Sequence, residues 1–202
     1  MIPVKAYAAE SVAAALTPFN FERRELREQD VLIEILFSGV CHSDVHQVKD
    51  EWGGSMYPMV PGHEIVGKVI KVGTGVKSFT IGETAGVGVM VDSCRECKPC
   101  KSFMEQYCAE GMTGTYNGLE RDKVTIAQGG YSSHIVCDER WVYHIANNLD
   151  LAGVAPLLCA GITTYSPLKF ANVKAGDKVA VAGLGGLGHM AVKFAVAMGA
   201  EV

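Results

Sequence analysis

Positive charge is in short supply in this sequence. Its 18 lysines and arginines stand against 22 aspartates and glutamates, for a net charge of −4. No face carries the surplus of cations that would neutralise a run of phosphates, which argues against a nucleic-acid partner. The polar, apolar-poor composition of a disordered chain is missing too, since 49% of residues are hydrophobic and 20% charged. There is no long apolar run near the start: Val12 to Leu16 is followed at once by Phe19-Asn20-Phe21-Glu22-Arg23-Arg24, so no secretory signal is legible. The most membrane-like stretch, Val179 to Ala200, carries His189, Lys193 and a glycine cluster, and it reads as buried strand, turn and helix rather than a lipid span. The expectation is a cytoplasmic globular protein with no membrane partner. An even cysteine count is also lacking. Seven cysteines cannot all pair within one chain, and four of them crowd between positions 94 and 108, which points to metal before disulfides.

What is present is β-rich text followed by a change of character. Val31 to Phe37 reads as a strand, Gly67 to Val72 alternates with period two until Gly73-Thr74-Gly75 breaks it, and strands are expected again at Tyr131–Val136 and Trp141–Ile145. After about Leu149 the chain reads as helix and turn from Leu151 to Ala171. The apolar run Lys178–Ala182 then leads through Gly183-Leu184-Gly185-Gly186-Leu187-Gly188 into a helix from His189 to Met198. A lone strand–helix unit cannot bury both faces of a parallel sheet, so the sequence is expected to stop inside a domain. The resulting expectation is an α/β chain with a β-rich domain over residues 1–150 and the beginning of a dinucleotide-binding domain over 151–202.

Cys94-x2-Cys97-x2-Cys100-x7-Cys108 is the strongest local signal. Four thiolates at this spacing can wrap one Zn²⁺ tetrahedrally and leave no position for substrate, so the site is structural and clamps a lobe at about residues 92–110. An iron–sulfur cluster would accept the same four cysteines, but redox-silent zinc suits a clamp better. Cys41-His42-Ser43-Asp44, Pro61-Gly62-His63-Glu64 and Cys159 are bland taken singly, because a buried cysteine is usually a small hydrophobe and a lone histidine usually a packed or surface residue. Gly183-x-Gly185-x-x-Gly188 matches the dinucleotide fingerprint with the required strand before it and helix after it. The first glycine permits the turn, the second lets backbone approach a pyrophosphate and the third lets helix and strand pack, while the helix N-terminus attracts the anion.

Taken jointly, these residues resemble the zinc-dependent alcohol dehydrogenases of the medium-chain dehydrogenase/reductase superfamily. The nearest likeness is to the cinnamyl-alcohol-dehydrogenase-like branch with its bacterial broad-range aldehyde reductases. The stretches that carry it are Gly39–His46, Tyr57–Glu64, Ala155–Pro167 and Gly183–Met190, with Gly62-His63-Glu64-x2-Gly67-x5-Gly73-x2-Val76 as the zinc signature. The resemblance implies a GroES-like catalytic domain ahead of the first β-α unit of a Rossmann domain, and two Zn²⁺ per chain. Cys41, His63 and Cys159 would hold a catalytic zinc with one open position, Glu64 would sit beside it, and Asp44 would hold the free ring nitrogen of His63. Cys94, Cys97, Cys100 and Cys108 would hold the structural zinc; Cys137 has no family role and reads as a strand residue.

The implied activity is hydride transfer between primary alcohols or aldehydes and NADP(H), which the branch favours over NAD(H). By the same resemblance Ser43 would take the alcohol proton and pass it through the cofactor ribose to His46 and solvent. His42 would lie near the pyrophosphate and Thr163 near the nicotinamide, with Gly183, Leu184, Gly185, Gly186, Leu187 and Gly188 forming the cofactor turn. Trp52 would stand at the substrate mouth. Thr113 takes the place of a pocket tryptophan found in plant lignin-pathway members, which implies a broad range of aldehydes. The residue that reads the ribose 2′ position lies about twenty residues past the fingerprint, beyond Val202. A homodimer is the expected assembly of the full-length enzyme, and residues 1–202 alone are not expected to suffice for turnover. Two other readings stand beside this one: a non-catalytic zinc-binding module acting through its Cys₄ lobe, and a quinone-reductase-like relative without zinc chemistry, against which Cys41, His63 and Cys159 argue.

Overall fold

In the computed structural model, which describes residues 1–202, an antiparallel sheet of five strands carries the main core. Two strands, β1 (Ile2–Ala8) and β2 (Thr17–Arg23), first form a separate hairpin. The sheet itself uses β3 (Asp30–Ser38), β4 (Ile65–Val72), β5 (Thr84–Val87), β8 (His134–Asp138) and β9 (Val142–His144) in the order β8-β3-β4-β5-β9. Between β5 and β8 lies the small pair β6 (Met90–Asp92) and β7 (Thr113–Gly114).

The strands form where β-branched and aliphatic residues repeat, and they curl because the ladder between β3 and β4 slips twice, at Leu32/Ile33 and Ile35/Phe37. Gly67 sits at the second slip, where a Cβ would lie 2.0 Å from the Glu34 carbonyl oxygen. The strands pass too closely there for any side chain. Curling folds Val31, Ile33, Ile65, Val69, Phe79, Ala85, Val87, Ile135, Trp141 and Val142 into one cluster. Burial of each aliphatic side chain of this kind contributes about 1.5–3 kcal/mol. Cys137 lies in the same cluster on β8, 1% exposed, as a strand residue of the core.

The helices are α1 (His42–Val48), α2 (Lys98–Lys101), α3 (Leu151–Val154), α4 (Ala160–Phe170) and α5 (Gly186–Ala197). Strands expected at 31–37 and 67–72 are present with slightly wider bounds. The strand expected from Tyr131 begins only at His134, because Gly129, Gly130 and Tyr131 spend their N–H groups on Val60, Pro61 and Gly62 carbonyls instead of a ladder. Trp141 belongs to a 3₁₀ turn that leads into β9. The run Lys178–Ala182 is extended but makes only one parallel bridge, Lys178 to Glu201, with Val179 N–H donating to the Glu201 carbonyl. Parallel pairing of the strand before α5 with the residues after it is the beginning of a β-α-β crossover. Helix α5 starts earlier than expected and takes Gly186 and Gly188 into its first turn.

Candidate functional site

The segment Cys41-His-Ser-Asp44 opens α1 through a capping box made from unusual parts. The Cys41 sulfur accepts the Ser43 N–H at 3.5 Å, and the Asp44 carboxylate reaches back to accept the Cys41 N–H at 3.0 Å. That reciprocal arrangement fixes both side chains at the end of β3. The other oxygen of Asp44 accepts the Gly62 N–H and the His63 Nδ1–H, each at 3.0 Å. One buried carboxylate therefore binds two segments distant in sequence. His63 Nδ1 is committed to Asp44, which turns Nε2 toward the sulfur of Cys159.

Cys159 arrives from the far end of the chain, at the junction of a 3₁₀ turn and α4. It makes no side-chain cap bond there, so its sulfur stays available. The ligand atoms of Cys41, His63, Glu64 and Cys159 lie within 4.8 Å of one another. The donor set fits a cation. Burial lowers the pKa of His63, but Asp44 and the Cys159 sulfur outweigh it and raise it to about 11, so the surroundings demand positive charge at this ring. The Asp44 carboxyl is held below the usual range: burial opposes this, but His63 and the Cys41 and Gly62 amides outweigh it. Glu64 is pushed up by burial, and its buried Oε2 has no hydrogen-bond partner. Gly39 leaves the space that Glu64 fills, since a Cβ there would lie 2.0 Å from this oxygen.

Cys94, Cys97, Cys100 and Cys108 form the second group of ligand atoms within 4.8 Å. Sulfur–sulfur separations are 3.8 Å for Cys94–Cys100 and 3.4 Å for Cys97–Cys100. A tetrahedron of thiolates about 2.3 Å from zinc has edges of about 3.8 Å. Amides of Ala109 and Cys100 lower Cys97 to about 6, and the Cys94 amide lowers Cys108. Ser93 lowers Cys100, but burial and the Cys97 sulfur override it and push it up to about 11. Amides aimed at sulfur favour thiolate, the form that ligates metal.

A cleft of about 430 Å³ opens over the first group and is lined by Ser43, Gln47, Trp52, His63, Val89, Met112, Tyr116, Asn117 and Cys159, among others. Trp52 is 61% exposed at its edge, 5.2 Å from the His46 ring. His46 in turn binds Glu51 through Nδ1 and lies 5.9 Å from His42. Thr113 does not reach this cleft. On the two-sided strand β7 successive residues face opposite ways, so Met112 and Gly114 line the cleft while Thr113, 3% exposed, turns into a small cavity beside Arg23. Thr163 is exposed on the first turn of α4, one turn beyond Cys159 and outside the cleft lining.

The glycine turn has the shape its spacing requires. Gly183 has φ +87°, and a Cβ on Gly188 would lie 1.8 Å from the Gly183 carbonyl oxygen. Nothing lies within 4 Å of a Cβ built on Gly183, Gly185 or Gly186, so the space above the turn is open to a ligand. Leu184 is 74% exposed beside it. Sequence reasoning missed two residues that organise the site. Tyr131 donates to Asp44 at 3.2 Å, and Tyr116 stacks on His63 with ring centroids 5.9 Å apart. A capping-box spacing in Cys41–Asp44 was the one local signal available for α1.

Residues 27–147 match the family model described as the alcohol dehydrogenase GroES-like domain. The NADP-dependent alcohol dehydrogenase C 1 of Mycolicibacterium smegmatis is 56% identical over 203 residues, covering all of this chain and 58% of the relative. Aldehyde reductase YahK of Escherichia coli is 52% identical over 200 residues, covering 98% of this chain and 57% of YahK. Among solved structures, the Helicobacter pylori CAD complexed with NADP(H) superposes with a TM-score of 0.95 at 52% identity, over 99% of this chain and 58% of that one. The chain thus spans a little over half the length of the relatives it matches.

Proposed function

Since the chain belongs to the alcohol dehydrogenase family with a GroES-like domain, we propose that it carries the metal-binding half of an oxidoreductase interconverting primary alcohols and aldehydes with NADP(H). The observation that carries the reading is the convergence of Cys41, His63, Glu64 and Cys159 on one point at the floor of an open cleft. Two thiolates and an imidazole make a three-ligand set that leaves a position for substrate, unlike the closed set of Cys94, Cys97, Cys100 and Cys108. The chemistry a zinc ion supplies at such a set is Lewis acidity.

The chain's own residues do the rest. Cys41, His63 and Cys159 would hold the ion, and Asp44 keeps the His63 proton on Nδ1, which leaves Nε2 free to ligate. Ser43 Oγ borders the cleft, where it holds the proton that the substrate oxygen gives up or takes. His46, half-exposed and held by Glu51 at Nδ1, stands where that proton meets solvent. Trp52, Val89 and Met112 give the cleft apolar walls, which select substrates by size and apolarity more than by hydrogen bonding. The turn Gly183–Gly188, with His42 on α1 and Thr163 on α4, would bind NADP(H). NADP(H) is favoured over NAD(H) because the similar bacterial proteins bear that cofactor in their names.

The test is a metal count beside an activity assay. The full-length protein should hold two zinc ions per chain and reduce aldehydes with NADPH. Cys41→Ser should keep the ion at Cys94–Cys108 and lose turnover, whereas undiminished turnover in that variant would refute the assignment. A non-catalytic zinc module predicts a single zinc in both proteins.

A further inference from the structure

We propose that Tyr131 is a positioning residue for the Cys41–His63–Cys159 centre, pinning one oxygen of Asp44 so that the other stays aligned on His63 Nδ1. The inference rests on reading that centre as a zinc site. A carboxylate offers about four lone-pair directions, and Asp44 has all four engaged. Oδ1 accepts the Gly62 amide and His63 Nδ1–H at 3.0 Å each; Oδ2 accepts the Cys41 amide at 3.0 Å and the Tyr131 hydroxyl at 3.2 Å. Three of those donors belong to the ligand-bearing segments themselves. Of those four, Tyr131 alone ties the carboxylate to a different part of the fold; the Tyr116 ring, stacked on His63, brings a second phenol beside Asp44.

That part is built to hold it. Gly129, Gly130 and Tyr131 donate their amides to Val60, Gly62 and Pro61, and Tyr131 accepts the Tyr7 N–H at 2.9 Å from the β1–β2 hairpin. From beneath, buried Arg23 donates to the carbonyls of Gln128, Gly129 and His134. The ring rests on Gly62, where a Cβ would lie 2.7 Å from the Tyr131 Cδ1 and where φ is +104°. A glycine at 62 and an aromatic ring at 131 therefore set the height of the hydroxyl over Asp44. Burial, with Asp44 beside it, pushes the phenol well above its ordinary range, so it remains a donor. Asp44 is buried, and losing one donor from a buried carboxylate frees it to turn about its Cβ–Cγ bond and drag the His63 ring with it.

The experiment follows zinc release from the fully loaded protein to a chromophoric chelator. Tyr131→Phe removes one oxygen and keeps the ring on Gly62, and circular dichroism confirms that the variant is folded. One of the two ions is expected to leave about tenfold faster, the low end of the 10–100-fold range for partners bonded directly to a ligand, while the other leaves at the parent rate. In an Asp44→Asn background the same change should add nothing, because its effect passes through Asp44. Release at the parent rate from Tyr131→Phe, alongside faster release from Asp44→Asn, would overturn the role of Tyr131. So would an equal acceleration by Tyr131→Phe in both backgrounds. A parent protein holding only one zinc, or Asp44→Asn with both release rates unchanged, would instead overturn the zinc reading on which the inference stands.

Discussion

Arg23 is the only lysine or arginine among the buried residues, 8% exposed, and no carboxylate accepts from it. Its Nε donates to the His134 carbonyl at 2.7 Å; its Nη2 donates to Gln128 at 2.8 Å, Gly129 at 3.2 Å and the Ser132 hydroxyl at 3.3 Å. Burial lowers its pKa to about 10, so holding the charge there costs stability that these bonds offset. In Arg23→Met, Ser132 has one hydroxyl hydrogen to give, at 2.7 Å to the Gly129 carbonyl, so the Gln128 and His134 carbonyls lose their Arg23 bonds. The two short charge-assisted bonds are worth about 1.5–3 kcal/mol each. Relief of the buried charge and the apolar surface of methionine recover part of that, which leaves a loss of about 3 kcal/mol. In a chain of this size that is a fall in Tm of about 6–12 °C. Calorimetry on zinc-loaded wild type and variant measures it, and hydrogen exchange at residues 128–134 should quicken in parallel. Arg23→Lys should recover less than half the loss, because one ammonium cannot span the carbonyls that the planar fork reaches. A Tm change under about 2 °C in Arg23→Met, with exchange at 128–134 unaltered, would refute the clamp.

Two further outcomes follow from the same geometry. Gly188→Ala places a methyl 1.8 Å from the Gly183 carbonyl oxygen, a backbone atom that cannot swing aside, so the turn must open. NADPH affinity in a fluorescence titration should fall by about tenfold or more, roughly 1.4 kcal/mol, and an unchanged Kd would remove the turn from the cofactor site. In metal-free protein His63 is raised from 6.5 to about 11, burial opposing and Asp44 and Cys159 prevailing. Its contribution to stability is accordingly complete below pH 6.5 and is lost as pH rises toward about 11. At pH 8 nitrogen NMR should find both ring nitrogens protonated, with one proton leaving when zinc binds; a ring titrating near 6.5 would contradict the charge balance described for this site.

Much of the chemistry was legible in the chain because it is written in short spacings. Four cysteines separated by two, two and seven residues can only be brought together locally, and the structure gathers their sulfurs as the spacing predicts. Gly183-x-Gly185-x-x-Gly188 requires only a turn and a helix start, and both are present. A strand at 31–37 could be read from its β-rich run and one at 67–72 from its alternation, each inside the observed bounds 30–38 and 65–72. The convergence of Cys41, His63 and Cys159 was legible only by resemblance, since nothing local joins residues so far apart. Thr113 was misplaced for a similar reason: position in the sequence does not say which way a two-residue strand turns its side chains.

The sequence by itself thus determined the cysteine cluster at 94–108 and the glycine turn at 183–188, because cysteine spacing and glycine spacing are constraints between near neighbours. Only the tertiary structure decided how the Cys41, His63 and Cys159 donors are held. The Asp44 carboxylate bridges α1 and the 62–63 segment, the Tyr131 hydroxyl meets it from 87 residues away, and Arg23 supports the turn that carries Tyr131. Each of those contacts joins residues that no periodicity relates, and each exists because curling of the sheet and closure of the β1–β2 hairpin bury polar groups that must then find partners.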